Sequence, residues 1–147
     1  MGIENIWIEI TLKCHKKLLV GLFYRSPNTN AAADQSIENS IDLASNTGLH
    51  DIVILGDFNL NTCNCKRKLE ALCTQYGLTQ CVEEPTHFTE NSQSILNIIL
   101  VKQLNPYFYV ELLNPSSSKI VDTIVLYLEY LHLVNQTIIF LMTCMVL

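Results

Sequence analysis

In the segment Ile52-Val53-Ile54-Leu55-Gly56-Asp57-Phe58-Asn59, an aspartate and an asparagine stand two residues apart, one glycine after four consecutive aliphatic residues. If the aliphatic run is a strand, a spacing of two puts both side chains on one face at its C-terminal end. A carboxylate beside an amide suits phosphodiester hydrolysis. The carboxylate orients or deprotonates a water, and the amide hydrogen-bonds a phosphate oxygen. Gly56 permits close backbone approach at that point. The same residues also read as a strand closing in an Asx-turn, in which both side chains only satisfy local backbone donors. On these residues alone the two readings stay open.

The elements that must position them follow from periodicity. Three of the four residues Ile52 to Leu55 are β-branched, and the run is stopped by Gly56, the pattern of a central strand covered on both faces. Upstream, the alternation in Asn5 to Ile10 predicts a half-buried strand and Leu18 to Phe23 a buried one, joined by a hairpin turn. A polar loop follows Tyr24-Arg25-Ser26-Pro27-Asn28. A short helix is then expected over Ser36 to Leu43, with Ile37, Ile41 and Ala44 on one face and Asn46-Thr47-Gly48 ending it. Downstream, Leu69, Leu72, Cys73 and Tyr76 recur at helical spacing within Lys66 to Tyr76, and Gly77 fits a C-cap. Short strands are expected at Leu78 to Val82, Ser94 to Val101 and Ile124 to Leu128. The end, 137–147 (TIIFLMTCMVL), is apolar but shorter than the ~20 residues a spanning helix needs. A buried element, an interfacial anchor and out-of-frame read-through all remain open for it. The organisation read this way is a domain over 1–128 and an apolar tail over 129–147.

Composition narrows the classes. The chain has 147 residues, 49% of them hydrophobic and 16% charged, which suits one collapsed domain and is unlike a disordered chain. A net charge of −5 argues against tight, unassisted nucleic-acid binding, which normally needs a Lys/Arg surplus. Lys13, Lys16 and Lys17, and Lys66, Arg67 and Lys68, form two small basic groups, more simply read as solvated surface. The six cysteines contain no CxxC pair, so no zinc or redox motif is spelled out, and reduced thiols in an intracellular protein are expected. No secretory signal is visible, and no membrane evidence is firm.

Four segments, taken in order, resemble the endonuclease/exonuclease/phosphatase superfamily, most closely the endonuclease domain of LINE-type (non-LTR) retrotransposons. They are Tyr24-Arg25-Ser26-Pro27, Gly56-Asp57-Phe58-Asn59, Glu84-Pro85-Thr86-His87 and Ser94-Ile95-Leu96-Asn97. They match the family's YRPP, GDFN, EPTR or EPTH, and S-x-LD motifs at compatible spacing. The resemblance implies an α+β fold, part of a four-layer sandwich in which two packed, mostly antiparallel sheets are flanked by helices. It implies magnesium as cofactor and DNA as partner. Asp57 then takes the place of the aspartate that activates water, Asn59 that of the phosphate-binding asparagine, and Tyr24 that of the tyrosine at the scissile phosphate. Thr86 matches a threonine near the DNA surface. His87 has no catalytic counterpart.

The departures bear on activity. Asn97 stands where the family has aspartate. The SDH motif is best placed at Val121-Asp122-Thr123, with Thr123 where histidine belongs; aligning from Ser118 puts Lys119 and Ile120 in its last two places, and the histidine is absent either way. A threonine serves neither as imidazolium nor as general acid or base near neutral pH. The N-terminal half of the pattern, with its metal-binding glutamate, is missing, so no metal ligand is assigned in this chain. The expected reading is an impaired DNA endonuclease domain, against a non-catalytic remnant or an interaction protein with an apolar C-terminal anchor. Missing strands leave an exposed sheet edge, which predicts self-association.

Overall fold

The structure is a computed structural model that describes residues 3–11, 15–27, 29–59, 63–83, 85, 87–88, 93–102, 108–113, 121–129 and 137–145. Contacts within the chain define two units, Met1–Gln103 and Leu104–Leu147.

The first unit is built on a five-stranded mixed sheet flanked by two helices. Its elements are β1 (Ile3–Thr11), β2 (Lys17–Arg25), α1 (Ala31–Ser45), β3 (Asp51–Asp57), α2 (Cys63–Tyr76), β4 (Thr79–Gln80) and β7 (Asn97–Lys102), with a separate small hairpin of β5 (His87–Phe88) and β6 (Gln93–Ser94). The sheet order is β1-β2-β3-β7-β4. Strands β2 and β3 run parallel, with α1 as the crossover that parallel neighbours require, and the other pairs are antiparallel. Ile52, Val53, Ile54 and Leu55 of β3 are all buried, as a strand flanked on both sides and covered on both faces must be. Leu19, Phe23, Ile52, Ile54, Ile98 and Leu100 form one cluster with Ile37, Ile41 and Ala44 of α1, and Leu69, Leu72 and Cys73 of α2 pack against it. The alternate residues Leu18, Val20, Val53, Leu55 and Ile99 belong to the opposite face of the sheet and are buried as well.

Several boundaries differ from the sequence reading by a few residues, and two of the differences have a plain physical reason. Helix α1 begins at Ala31, not Ser36. Alanine carries the highest helix propensity, and Ala33 lies one turn before Ile37, so the buried stripe runs Ala33, Ile37, Ile41, Ala44. Asp34 in the first turn also suits the helix dipole. Strand β3 does not stop at Gly56 but runs through Asp57. A Cβ at Gly56 would lie 1.9 Å from the Phe23 carbonyl oxygen, so the glycine is what lets β3 stay beside β2. The C-terminus of α2 follows expectation: Gly77 has φ +63, and the Leu78 N–H donates to the Cys73 carbonyl at 2.8 Å, a Schellman closure.

The second unit is a three-stranded antiparallel sheet of β8 (Phe108–Leu113), β9 (Val121–Glu129) and β10 (Thr137–Met145), in the order β10-β9-β8. Of the apolar run at 137–147, the residues Thr137–Met145 are therefore strand β10, each paired with β9. The composition break at 129 falls inside this unit. No helix among the described residues is long and apolar enough to cross a membrane.

Candidate functional site

The register of the sheet brings three of the sequence-selected residues into one row. Tyr24 of β2 is the partner of Asp57 of β3, and Asp57 is the partner of Asn97 of β7. Residues opposite one another on neighbouring strands share a face, so Tyr24, Asp57 and Asn97 lie on the face of the sheet away from the α1–α2 cluster. The row continues to Glu4 of β1, the partner of Tyr24. Tyr24 is 44% exposed, Asp57 is half-buried and Asn97 is only 2% exposed. Solvent access thus rises along the row toward the tyrosine.

Asn59 does not follow from strand alternation. The strand ends at Asp57, and Asn59 takes the left-handed conformation (φ +46), which asparagine tolerates better than most residues. Its direction is set by two bonds. The backbone N–H donates to Asp57 Oδ1 at 3.0 Å, an Asx-turn, and the side-chain Nδ2 donates to the Arg25 carbonyl at 2.7 Å. The local, structural reading of these two residues is therefore realised in the geometry, and it coexists with their position at the end of the central strand. Phe58 between them is buried, stacks on Phe23 at 5.6 Å and donates its N–H to the Leu96 carbonyl at 2.9 Å. These contacts tie the turn to both neighbouring strands.

Arg25 is the residue that sequence reasoning left without a role. It is 5% exposed, and its Nε and Nη2 reach Asp34 Oδ1 at 3.1 and 3.0 Å while Nη1 donates to the Asn59 carbonyl at 3.4 Å. Together with the bond from Asn59 to the Arg25 carbonyl, this closes a two-way clamp between the end of β2, the turn after β3 and the first turn of α1. Lys68 of α2 adds a 2.6 Å contact to Asp34 Oδ2. Burial raises the Asp34 carboxyl, but the hydrogen bond from Lys68 and the Arg25 charge outweigh it, so the group sits below its ordinary range. A signal existed: Arg25 shares strand parity with the buried Phe23, and a cation on the buried parity demands a carboxylate partner.

Other chemistry is thin. Burial, with Cys73 alongside, pushes the Cys81 thiol up to about 11, and burial raises Cys73 as well, so neither is a thiolate nucleophile near neutral pH. Cavities of about 320 and about 450 Å³ flank α2, one over Ile37, Phe58 and Leu72, the other over Leu69, Cys73, Gln80 and Ile98. Neither is lined by Tyr24, Asp57 or Asn97. Among the described residues no group of three or more His, Cys, Asp or Glu gathers to hold a metal. Magnesium takes oxygen ligands, usually one or two carboxylates with waters and substrate phosphates. The row offers Asp57 and, two strands and ~10 Å away, Glu4, too far apart to share an ion. Among the described residues the row therefore offers an ion a single carboxylate, Asp57.

Thr86 lies outside the described residues. Asp122 and Thr123 lie within β9, opposite Cys144 and Thr143 of β10, so the strand already runs from Val121, whereas the sequence reading starts it after them at Ile124.

No family model and no curated protein matches the chain. Among solved structures, an endonuclease/exonuclease/phosphatase family protein from Bacteroides thetaiotaomicron is similar, with a TM-score of 0.50 and 16% identity. The match covers 95% of this chain and 51% of that one. At this identity the likeness is one of fold: an α+β arrangement of the kind that this neighbour carries.

Proposed function

We propose that this chain carries the phosphate-facing strands of an endonuclease/exonuclease/phosphatase domain of retrotransposon type, part of a four-layer sandwich, and that it contacts DNA without cleaving it efficiently. The observation that carries the reading is the in-register row Tyr24, Asp57, Asn97 across three adjacent strands, with Asn59 in the turn beyond it. The ordered motifs support it, as does the fold of the Bacteroides neighbour, of which the chain spans about half.

In this reading Asp57 is the one group able to accept a proton from an attacking water, and its carboxylate is already oriented by the Asn59 N–H. The Tyr24 hydroxyl and the Asn59 amide, held by the Arg25 carbonyl, are the donors toward a phosphate oxygen. Two replacements oppose turnover. Asn97 puts an amide, not a second negative charge, beside Asp57, and Thr123 supplies no imidazolium. Magnesium would find one carboxylate in this row, Asp57, and would take its remaining ligands from waters and the phosphate. With a net charge of −5, DNA binding is weak and steeply salt-dependent.

The test is supercoiled-plasmid nicking in magnesium against an Asp57→Ala control, with NMR titration of a short duplex. We expect no nicking above the control, and duplex-induced shifts at Tyr24 and Asn97 that fade in Tyr24→Phe. Robust Asp57-dependent nicking overturns the impairment. Shifts confined to α1 and α2 overturn the site.

A further inference from the structure

The five-stranded sheet has two edges, and they differ. At one end β4 contributes two residues, too few to template a further strand. At the other, β1 runs nine residues in unbroken register with β2, from Ile3 opposite Arg25 to Thr11 opposite Lys17. Among the described residues no strand pairs with its outer edge. Long, regular edge strands expose a row of backbone donors and acceptors, and proteins usually blunt them with proline, bulges or charge. Strand β1 has no proline and no bulge. Its charges are Glu4 and Glu9, and Glu9 is already bound by Lys17 at 2.8 Å. Ile6 and Ile8 are 56% and 42% exposed on the same side of this edge.

We propose that the outer edge of β1 pairs with β1 of a second copy of this chain, antiparallel, about a two-fold axis at Trp7. This does not depend on the function proposed above. The sequence of the strand selects the occupant and the register. With the axis at Trp7 all nine residues pair, Ile6 of each copy lies opposite Ile8 of the other, and the exposed isoleucines merge into one four-residue apolar patch. Glu4 then lies opposite Ile10 and Glu9 opposite Asn5, so no carboxylate faces a carboxylate. Moving the axis to Ile6 or to Ile8 keeps the faces matched but shortens the ladder. Moving it midway between Ile6 and Trp7 sets Glu4 against Glu9 and brings the isoleucine face against the Trp7 face, which is packed against Phe23 and bonded to Ser40. A one-residue slip exchanges every side chain between faces, and like charges directly opposite are destabilising. A single strand pair buries less than a standard interface of roughly 1,600 Å², so the dimer is weak and concentration-dependent.

The experiment is sedimentation equilibrium of the full chain from low to high micromolar concentration. Circular dichroism and the fluorescence of Trp7 report that each variant is folded. The expected result is a reversible dimer that Ile6→Lys and Ile8→Lys each reduce to monomer, and that Leu43→Lys, at an exposed position on α1, leaves intact. A synthetic peptide of residues 3–11 should bind the labelled wild-type chain and compete with the dimer, and this arm decides the matter if the lysine variants unfold. A monomer at high micromolar concentration that ignores the peptide overturns the proposal. So does a dimer that folded Ile6→Lys and Ile8→Lys chains retain, or one that Leu43→Lys alone abolishes.

Discussion

The Arg25–Asp34 pair makes a prediction whose sign is asymmetric. Arg25 is buried and draws its compensation from Asp34 and, more weakly, from the Asn59 carbonyl. Asp34→Ala strands that charge. Removing one partner of a buried pair costs about 3–5 kcal/mol. Asp34 is only partly buried, so the lower end, about 3 kcal/mol, is the expectation. Arg25→Met is the opposite case. Asp34 keeps Lys68 at 2.6 Å, the methionine fills the space with apolar atoms, and the loss should stay below about 1.5 kcal/mol because apolar replacement of a buried ion is often near neutral. Urea unfolding followed by Trp7, the chain's one tryptophan, measures both. With a slope of about 2 kcal/mol per molar urea, Asp34→Ala lowers the midpoint by roughly 1.5 M. The pH dependence has a definite sign as well. A carboxyl whose folded value is depressed stabilises the fold above its ordinary value of 3.8 and loses that contribution as pH falls through the lower folded value. The wild-type chain should therefore lose stability below pH 3.8 more steeply than Asp34→Ala. An Arg25→Met loss equal to or larger than that of Asp34→Ala, or equal acid slopes in the two chains, would refute the reasoning.

Gly56→Ala should lower the free energy of unfolding sharply, by about 3 kcal/mol, since the new methyl meets the Phe23 backbone rather than a movable side chain; an Ala chain as stable as wild type shows that β2 and β3 separate easily. Gly77→Ala, at φ +63, should cost about 1 kcal/mol in the same assay. Cys81 should alkylate slowly at pH 8 and faster as pH approaches 11, followed by mass spectrometry of the labelled peptide; rapid labelling at pH 7 contradicts its burial. Restoring Asn97→Asp with Thr123→His should leave plasmid nicking at background, because in the proposed reading neither change supplies the family pattern's metal-binding glutamate, for which no described residue stands; gain of nicking in the double variant shows that Asp57 and the new carboxylate beside it are enough to hold the ion.

What the sequence by itself determined is local. Four aliphatic residues from Ile52 to Leu55 specify a buried strand, the spacing of Leu69, Leu72, Cys73 and Tyr76 specifies α2, and Gly77 ends it, because side-chain period and backbone freedom act within a few residues. The short helix was harder: the Ala31–Ala33 run looks like loop until Asp34 is seen to face Arg25. The order of four short motifs was also legible, and it pointed to the same kind of fold as the Bacteroides structure. Only the tertiary structure decided what those motifs do to one another. Nothing in the chain order states that β2 lies parallel to β3, and it is that register that sets Tyr24 beside Asp57 and Asp57 beside Asn97. Nor does a period of two survive past the last strand residue, so the direction of Asn59 waited on its left-handed backbone and on the Arg25 carbonyl. Pairing across strands and the partner of a buried charge are contacts between residues distant in sequence, and such contacts are chosen by the packing of the whole sheet.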